Sequence, residues 1–221
     1  FTSQMPVLLY GHTGSGKTTL INLLSRIYDI SEGEILIDGI PIKKIPLNTL
    51  RESIGVVPQE SFLFSTTIEK NISYSKDYLD YDKVIESAKS SSLYKDVCSF
   101  PEKFQTVVGE RGITLSGGQK QRTSIARAIY KNPKILILDD SLSAVDTHTE
   151  EEILNELKQV MRNRTSIIIS HRISSIKNAN NIIVLSGSVI KEQGTHNELI
   201  SLGGIYYDIY QKQLLEEEIQ E

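Results

Sequence analysis

Cysteine is nearly absent from this chain: Cys98 is the single one among 221 residues. That excludes an internal disulfide and fits a reducing compartment, with Cys98 itself read as a small filler residue. An excess of positive charge is lacking too. Lys and Arg number 24 against 28 Asp and Glu, for a formal charge of −4. No basic surface follows of the kind that holds nucleic acid through its phosphates, so nucleic acid is not an expected partner. No apolar run approaches the ~18–20 residues that span a bilayer. The first residues lack the basic region and apolar stretch of a signal peptide. The chain itself is therefore expected to be soluble, although a domain of a membrane protein would read the same way. Internal repeats and low-complexity linkers are also missing. A chain of this length has one substantial core, with room for subdomains.

What is present alternates. The segments Val7–Tyr10, Ile135–Leu138, Ser166–Ile169 and Ile182–Leu185 are short, apolar and flanked by turn or cap residues. They read as buried strands of a largely parallel sheet. Between them, Lys17–Ile27, Gln119–Tyr130 and Thr149–Met161 read as amphipathic helices. Such alternation predicts an α/β fold that binds ligands at the carboxyl ends of its strands. Gly33–Ile42 differs, being β-rich with Asp38-Gly39 as a hairpin turn signal. It predicts a small antiparallel layer beside the core. The stretch 77–100 reads as polar helix interrupted at Ser90-Ser91-Ser92. The tail 205–221 places Ile205, Ile209 and Leu215 among polar residues and reads as a solvated acidic helix end.

Gly11-His12-Thr13-Gly14-Ser15-Gly16-Lys17-Thr18 follows a predicted strand and opens a predicted helix, the context a phosphate-binding loop needs. Its glycines let backbone N–H groups turn toward phosphates, and the helix N-terminus adds positive potential. Lys17 would reach the β- and γ-phosphates, and the Thr18 hydroxyl would ligate Mg²⁺. A chance match to these fixed positions has odds on the order of 1 in 100 in a chain this long. Nucleotide binding is the stronger reading.

The run Ile135-Leu136-Ile137-Leu138-Asp139-Asp140 is an aliphatic strand ending in two carboxylates. Asp139 would hold Mg²⁺ through water, and Asp140 would orient the attacking water. Helix capping is the plain alternative for both; the phosphate loop upstream tips the balance to the metal. Leu115-Ser116-Gly117-Gly118-Gln119-Lys120-Gln121-Arg122 carries a second anion-binding pattern, a Ser cap with two glycines at a helix start. A second phosphate-facing helix end is redundant inside one monomer. It makes sense if it faces the nucleotide of another subunit.

These motifs in this order resemble ATP-binding cassette (ABC) proteins. Gly11–Thr18 looks like their Walker A motif, Leu115–Arg122 like their signature and Ile135–Asp140 like their Walker B motif. The resemblance covers nearly the whole chain. It implies a P-loop NTPase core, RecA-like, at about 1–75 and 131–221. A helical subdomain at about 76–130 would carry the signature, beside a partial antiparallel layer. It also implies ATP and Mg²⁺ as ligands. The nucleotide would be held by Gly11, His12, Thr13, Gly14, Ser15, Gly16, Lys17, Thr18 and Thr19, the metal by Thr18, Gln59 and Asp139. Gln59, in Val56-Val57-Pro58-Gln59, resembles the Q-loop glutamine that senses magnesium and couples to the membrane domain. Asp146, in Ser143-Ala144-Val145-Asp146, resembles the D-loop aspartate, and His171 the switch histidine at the γ-phosphate. Asp140, His171 and Gln59 are thus the implied catalytic set, and Ser116, Gly117, Gly118 and Gln119 the set acting in trans.

Thr106–Gly112, Ser61–Ile72 and Gly194–Leu199 look like exporter sequence. The resemblance then implies two such domains sandwiching two ATP molecules. Transmembrane domains would be the further partners, and the cytoplasmic face of a cell membrane the location. Two departures matter. Symmetric family members carry Glu where this chain has Asp140, one methylene shorter. A general base works within about 2.6–3.2 Å of the proton it removes. The stretch Leu138–Asp146 is similar to one half of heterodimeric bacterial multidrug exporters, whose own site is degenerate. The resemblance therefore predicts slow hydrolysis here and an intact signature that completes a partner's site. The other departure is at the start, where Gln4-Met5 replaces the usual Gly-Glu pair and Pro6 is awkward in a strand. The N-terminal strands, the upstream aromatic residue and the transmembrane domain are read as absent from this chain. Phe1 is no equivalent of that aromatic, so adenine stacking worth about 1 kcal/mol would be missing. The rival functions are a competent homodimeric site in which Asp140 still serves as base, a soluble ABC ATPase outside transport, and a non-hydrolysing regulatory module.

Overall fold

A computed structural model describes residues 6–11, 14–75, 78–109, 115–162, 164–173, 177 and 179–220. The chain begins β1 (Pro6–Tyr10), α1 (Lys17–Leu24), β2 (Leu36–Ile37), β3 (Ile40–Pro41), α2 (Leu47–Ser53) and β4 (Ile54–Val57). It continues α3 (Ile68–Ser73), α4 (Tyr81–Ser90), α5 (Tyr94–Ser99), α6 (Gly117–Tyr130), β5 (Ile135–Asp139) and α7 (Thr147–Met161). Then follow β6 (Thr165–Ile169), β7 (Asn181–Ser186), β8 (Val189–Gly194), α8 (His196–Leu202) and α9 (Ile205–Gln220).

Six strands form one sheet in the order β4-β5-β6-β1-β7-β8. Every neighbouring pair is parallel except β7 with β8. The central strands are apolar on both faces because both faces are covered. Leu136, Leu138, Ile168, Ile182 and Val184 point into a layer with Ile153, Leu157 and Tyr206 of α7 and α9. Their alternates Ile137, Ile167, Ile169, Ile183 and Leu185 join Ile21, Leu24 and Leu50 of α1 and α2 on the other side. The period of two along each strand thus fills two cores at once. A third core, with Ile68, Ile72, Val84, Val97 and Ala126, gathers α3 to α6.

The α/β expectation holds, and so does the hairpin. Ile37 pairs with Ile40 across Asp38-Gly39, both with positive φ (50° and 77°), the geometry of a two-residue type I′ turn. The helical stretch 77–100 is broken where expected, at Ser91 and Ser92, the latter with φ 53°. Pro6 opens β1, and in a central strand the first residue is a position that tolerates a missing N–H.

Three corrections follow. The first helix ends at Leu24 rather than Ile27, because Arg26 turns into the left-handed region (φ 48°) and donates to Ile45 O at 2.8 Å. The strands β4 and β8 were not anticipated. β4 is short and contains Gly55, where a Cβ would lie 2.7 Å from Pro133 Cγ. β8 is a sheet edge that buries little, so its sequence has no apolar run. The tail is only partly solvated: Ile205 and Ile209 pack on the core, while Leu215 is exposed.

Candidate functional site

The phosphate loop leaves the carboxyl end of β1 and enters α1. Gly14 and Gly16 have φ of 81° and 96°, which only glycine adopts without strain. A Cβ at Gly11 would lie 2.4 Å from Leu185 O. Buried Lys17 turns back over the loop, its Nζ donating to Gly11 O at 2.5 Å and Ser15 Oγ at 3.4 Å. Burial pushes the Lys17 ammonium below the ordinary lysine value, and the charges of Asp139 and Asp140 oppose that shift. His12 and Thr13, with residues 1–5, lie outside the described residues.

Thr18 Oγ1, on the exposed face of α1 beside Thr19, donates to Asp139 Oδ2 at 3.3 Å. Asp139 is buried at the end of β5. Burial raises its carboxyl above the ordinary aspartate value and Asp140 adds to this. The Thr18 hydroxyl, Lys17 and His171 pull the other way. A buried carboxylate in this state gains from any cation that arrives. A hydroxyl and a carboxylate oxygen side by side are hard oxygen donors, the set Mg²⁺ takes alongside water and phosphate.

Asp140 follows in the left-handed region (φ 45°), its N–H donating to Ile169 O at 3.0 Å. Gln59 Nε2 donates to Asp140 Oδ2 at 3.3 Å. Neither Asp139 nor Asp140 caps a helix. The capping falls to Asp146, whose Oδ1 accepts from Thr149 N at 2.9 Å and starts α7 two residues earlier than expected. His171 stands past the end of β6. With Asp140, Ser143, Glu150 and Arg172 it lines a cavity of about 100 Å³.

The segment read as a signature opens α6 with a capping box. Ser116 Oγ accepts from Gln119 N at 3.2 Å, and Gln119 Oε1 accepts from Ser116 N at 3.1 Å. Ser116 and Gly117 are exposed. A Cβ at Gly118 would approach Val145 Cγ1 to 3.1 Å, so this helix start lies directly on the loop that leads to Asp146. Gln121 ties the same loop from the next turn, accepting from Ala144 N at 3.0 Å. Residues 110–114 lie outside the described residues.

Lys17, Thr18, Asp139, Asp140, Gln59 and His171 therefore converge at the carboxyl ends of β1, β4, β5 and β6. Three side chains that hold the signature helix and the His171 loop were not anticipated. Asp96 of α5 accepts from Gln119 Nε2 and pairs with Arg122, both at 3.0 Å. Glu150 of α7 pairs with Arg172 next to His171. Gln213 of α9 bonds the backbone on both sides of Arg172. All three act across long sequence separations, and no local motif marks them.

Residues 3–143 match the family described as "ABC transporter". An uncharacterised ABC transporter ATP-binding protein of Bacillus subtilis is 52% identical over 205 residues, 93% of this chain and 35% of that protein. An ATP-dependent lipid A-core flippase of Syntrophus aciditrophicus is 43% identical over 215 residues, 97% of this chain and 36% of the flippase. Among solved structures, a bacterial Atm1-family ABC exporter with ATP bound superposes with a TM-score of 0.93 at 42% identity. That match covers 96% of this chain and 37% of the exporter chain. The chain thus spans about a third of the length of each of these three relatives. No helix among the described residues is long and apolar enough to cross a membrane.

Proposed function

The chain belongs to the ABC transporter family as one of its ATP-binding domains, of the ATPase class, and from that premise we propose that it is the motor of an exporter. The observation that carries the proposal is the convergence of Lys17, Thr18, Asp139, Asp140, Gln59 and His171 at the carboxyl ends of β1, β4, β5 and β6. Gly11–Thr19 cradle the phosphates of ATP, with Lys17 on the β- and γ-phosphates. Thr18, Asp139 and Gln59 hold Mg²⁺, which when bound neutralises charge on the phosphates. Asp140 orients the attacking water and His171 contacts the γ-phosphate.

A second ATP-binding domain completes the machine. The Ser116–Gly118 end of α6, exposed at Ser116 and Gly117, offers backbone donors and helix-terminal potential to the nucleotide of that partner, in head-to-tail fashion. Closure on ATP joins the two, and hydrolysis releases them. The work transmitted is bounded by the difference in ATP affinity between the open and closed states. The core comprises about residues 1–75 and 131–221, and about 76–130 form the arm that carries α6, with α3 packed onto that arm. Ser61–Ile72 and the neighbourhood of Val107 dock transmembrane domains at the cytoplasmic face of the membrane. Phe62, Tyr74 and Val107 all expose more than half of their surface there, which suits such a contact.

The site of this chain is slow. Asp140 is one methylene short of the usual Glu, and one of its oxygens is already engaged by Gln59. The productive base comes from a different partner chain, which this chain's signature serves. The experiment is steady-state ATP hydrolysis over a range of protein concentrations, beside the Asp140→Glu variant. A large, concentration-dependent rise for the variant supports the reading. Equal and readily measured rates would make Asp140 a working base and the exporter homodimeric.

A further inference from the structure

The loop that carries His171 is held by a side chain 42 residues further along, on α9. Gln213 Nε2 donates to His171 O at 2.5 Å, and Gln213 Oε1 accepts from Ile173 N at 2.7 Å. One planar carboxamide therefore closes on the backbone at both ends of a three-residue stretch. It uses its donor and its acceptor together, as a neighbouring strand would. The stretch is fixed from its other side as well. Arg172 N donates to Ser170 Oγ at 3.0 Å, and the Arg172 guanidinium donates to Val145 O at 3.2 Å and pairs with Glu150. Ile173 is buried in the core.

The arm bearing Gln213 is itself anchored. Glu192 of β8 accepts from Ile205 N at 2.5 Å and Tyr206 N at 3.0 Å, placing a carboxylate at the positive end of α9. Tyr206 is fully buried, and its hydroxyl meets His196 Nδ1 at 2.8 Å. Ile209 and Tyr210 pack against the same core. Tyr206, Tyr210 and Gln213 recur at i, i+4 and i+7, which places them on one helix face. The position of the amide is thus set by packing one and two turns away. Further along, Leu215, Glu216 and Glu218 are exposed.

We infer that Gln213 is a positioning residue for His171: through this amide, α9 fixes the histidine against the carboxylates of the nucleotide site. The inference rests on the reading of His171 as the γ-phosphate contact. Gln213 touches no reacting atom and acts through the backbone of the loop alone. Losing it leaves ATP binding in place and slows the chemical step.

The test is single-turnover ATP hydrolysis with protein in excess, equilibrium ATP binding, and amide hydrogen exchange over 170–173. Gln213→Ala removes both bonds. It should speed exchange at Ile173 and slow hydrolysis roughly ten- to a hundredfold, the scale that small misplacement of a catalytic group costs. ATP affinity should stay within about twofold. Gln213→Glu keeps the acceptor for Ile173 N but sets a carboxylate oxygen against His171 O. It should lose comparable activity while still folding, which covers the case in which the alanine variant does not. Added to His171→Ala, Gln213→Ala should cost nothing more, because the two changes remove one contribution. Additive losses would overturn the inference, as would faster exchange at Ile173 with unchanged hydrolysis. If His171→Ala alone changes nothing, the reading of His171 fails and the latch falls with it. If His171→Ala slows hydrolysis and Gln213→Ala does not, only the latch fails.

Discussion

Gln59 and Asp140 meet across adjacent parallel strands. Val57 of β4 is in register with Leu138 of β5, and two residues further on the Gln59 amide donates to Asp140 Oδ2 at 3.3 Å. The contact joins the loop that leads into the Ser61–Ile72 segment to the residue proposed to orient water. Asp140 holds this place with φ 45°, a conformation that Asp and Asn tolerate and most side chains do not.

A stability test of that backbone follows. Asp140→Asn keeps both the local conformational tolerance and an acceptor for Gln59, so urea unfolding should barely change. Asp140→Ala forces a residue without local hydrogen bonding into the left-handed region and should cost about 1 kcal/mol. Equal midpoints for the two variants would show that the turn imposes no such demand. Gln59→Ala should leave the midpoint nearly unchanged, since the side chain is exposed, and lower ATP hydrolysis about tenfold.

Asp139 offers a second prediction, from its raised carboxyl. Its folded form binds a proton more tightly than its unfolded form, for which the ordinary value is 3.8. The stability this proton brings is complete below 3.8 and is lost as pH rises through the higher folded value. At neutral pH without ligands, the ionised buried group is therefore a cost. Asp139→Asn removes the charge and can still accept from Thr18. We expect it to melt above the wild type at pH 7, with the gap closing as pH falls toward 3.8. The stabilisation that Mg²⁺ and ATP together give the wild type by mass action should shrink in this variant. Melting curves at several pH values, with and without ligand, check both halves. An Asn variant that melts lower at every pH would defeat the argument.

How far the sequence revealed all this depends on distance along the chain. Asp38-Gly39 announced its turn because two adjacent residues with one conformational preference suffice. The serines at 91 and 92 announced a helix break for the same local reason. The carboxylates at the end of β5 stood out because an aliphatic strand that ends in acid is rare without a ligand. Asp146 was legible as part of a motif, and its capping of α7 is an added duty that its position before Thr147 could have shown. Gln213, Asp96 and Glu150 could not be found this way. Each contributes a single polar side chain to a partner that the fold, not the chain, brings near. In the tail, Tyr206 and Tyr210 recur four apart, but Asp208 between them and the Gln and Glu residues that follow masked a face that turned out to be core. β8 stayed hidden because an edge strand with one partner needs no apolar pattern.

Arg127 supports the last prediction. From the last turn of α6 its Nε donates to Asn71 O at 2.8 Å, Nη1 to Phe62 O at 2.9 Å and Nη2 to Asn71 Oδ1 at 2.8 Å. Its guanidinium lies 5.5 Å from the Phe64 ring centroid and 6.0 Å from that of Tyr74, and those two rings stack. Fully buried Asn71 passes the restraint on, donating to Phe64 O at 3.0 Å and accepting from Phe64 N at 2.9 Å. The helix that opens with the signature is thereby bolted to the aromatic face proposed to dock the membrane domain. A lysine at 127 is a point charge that reaches one of these acceptors and stacks poorly. Arg127→Lys should lower stability by about 2–3 kcal/mol, the scale of hydrogen bonds to a charged group, seen as a lower urea midpoint at unchanged m-value. Amide exchange over 62–74 should rise well beyond that over β5 and β6, because the lost bonds are local to that face. ATP binding by the phosphate loop, which takes part in none of these bonds, should persist. If exchange rises uniformly across the chain, Arg127 serves general stability and the coupling assigned to it is wrong.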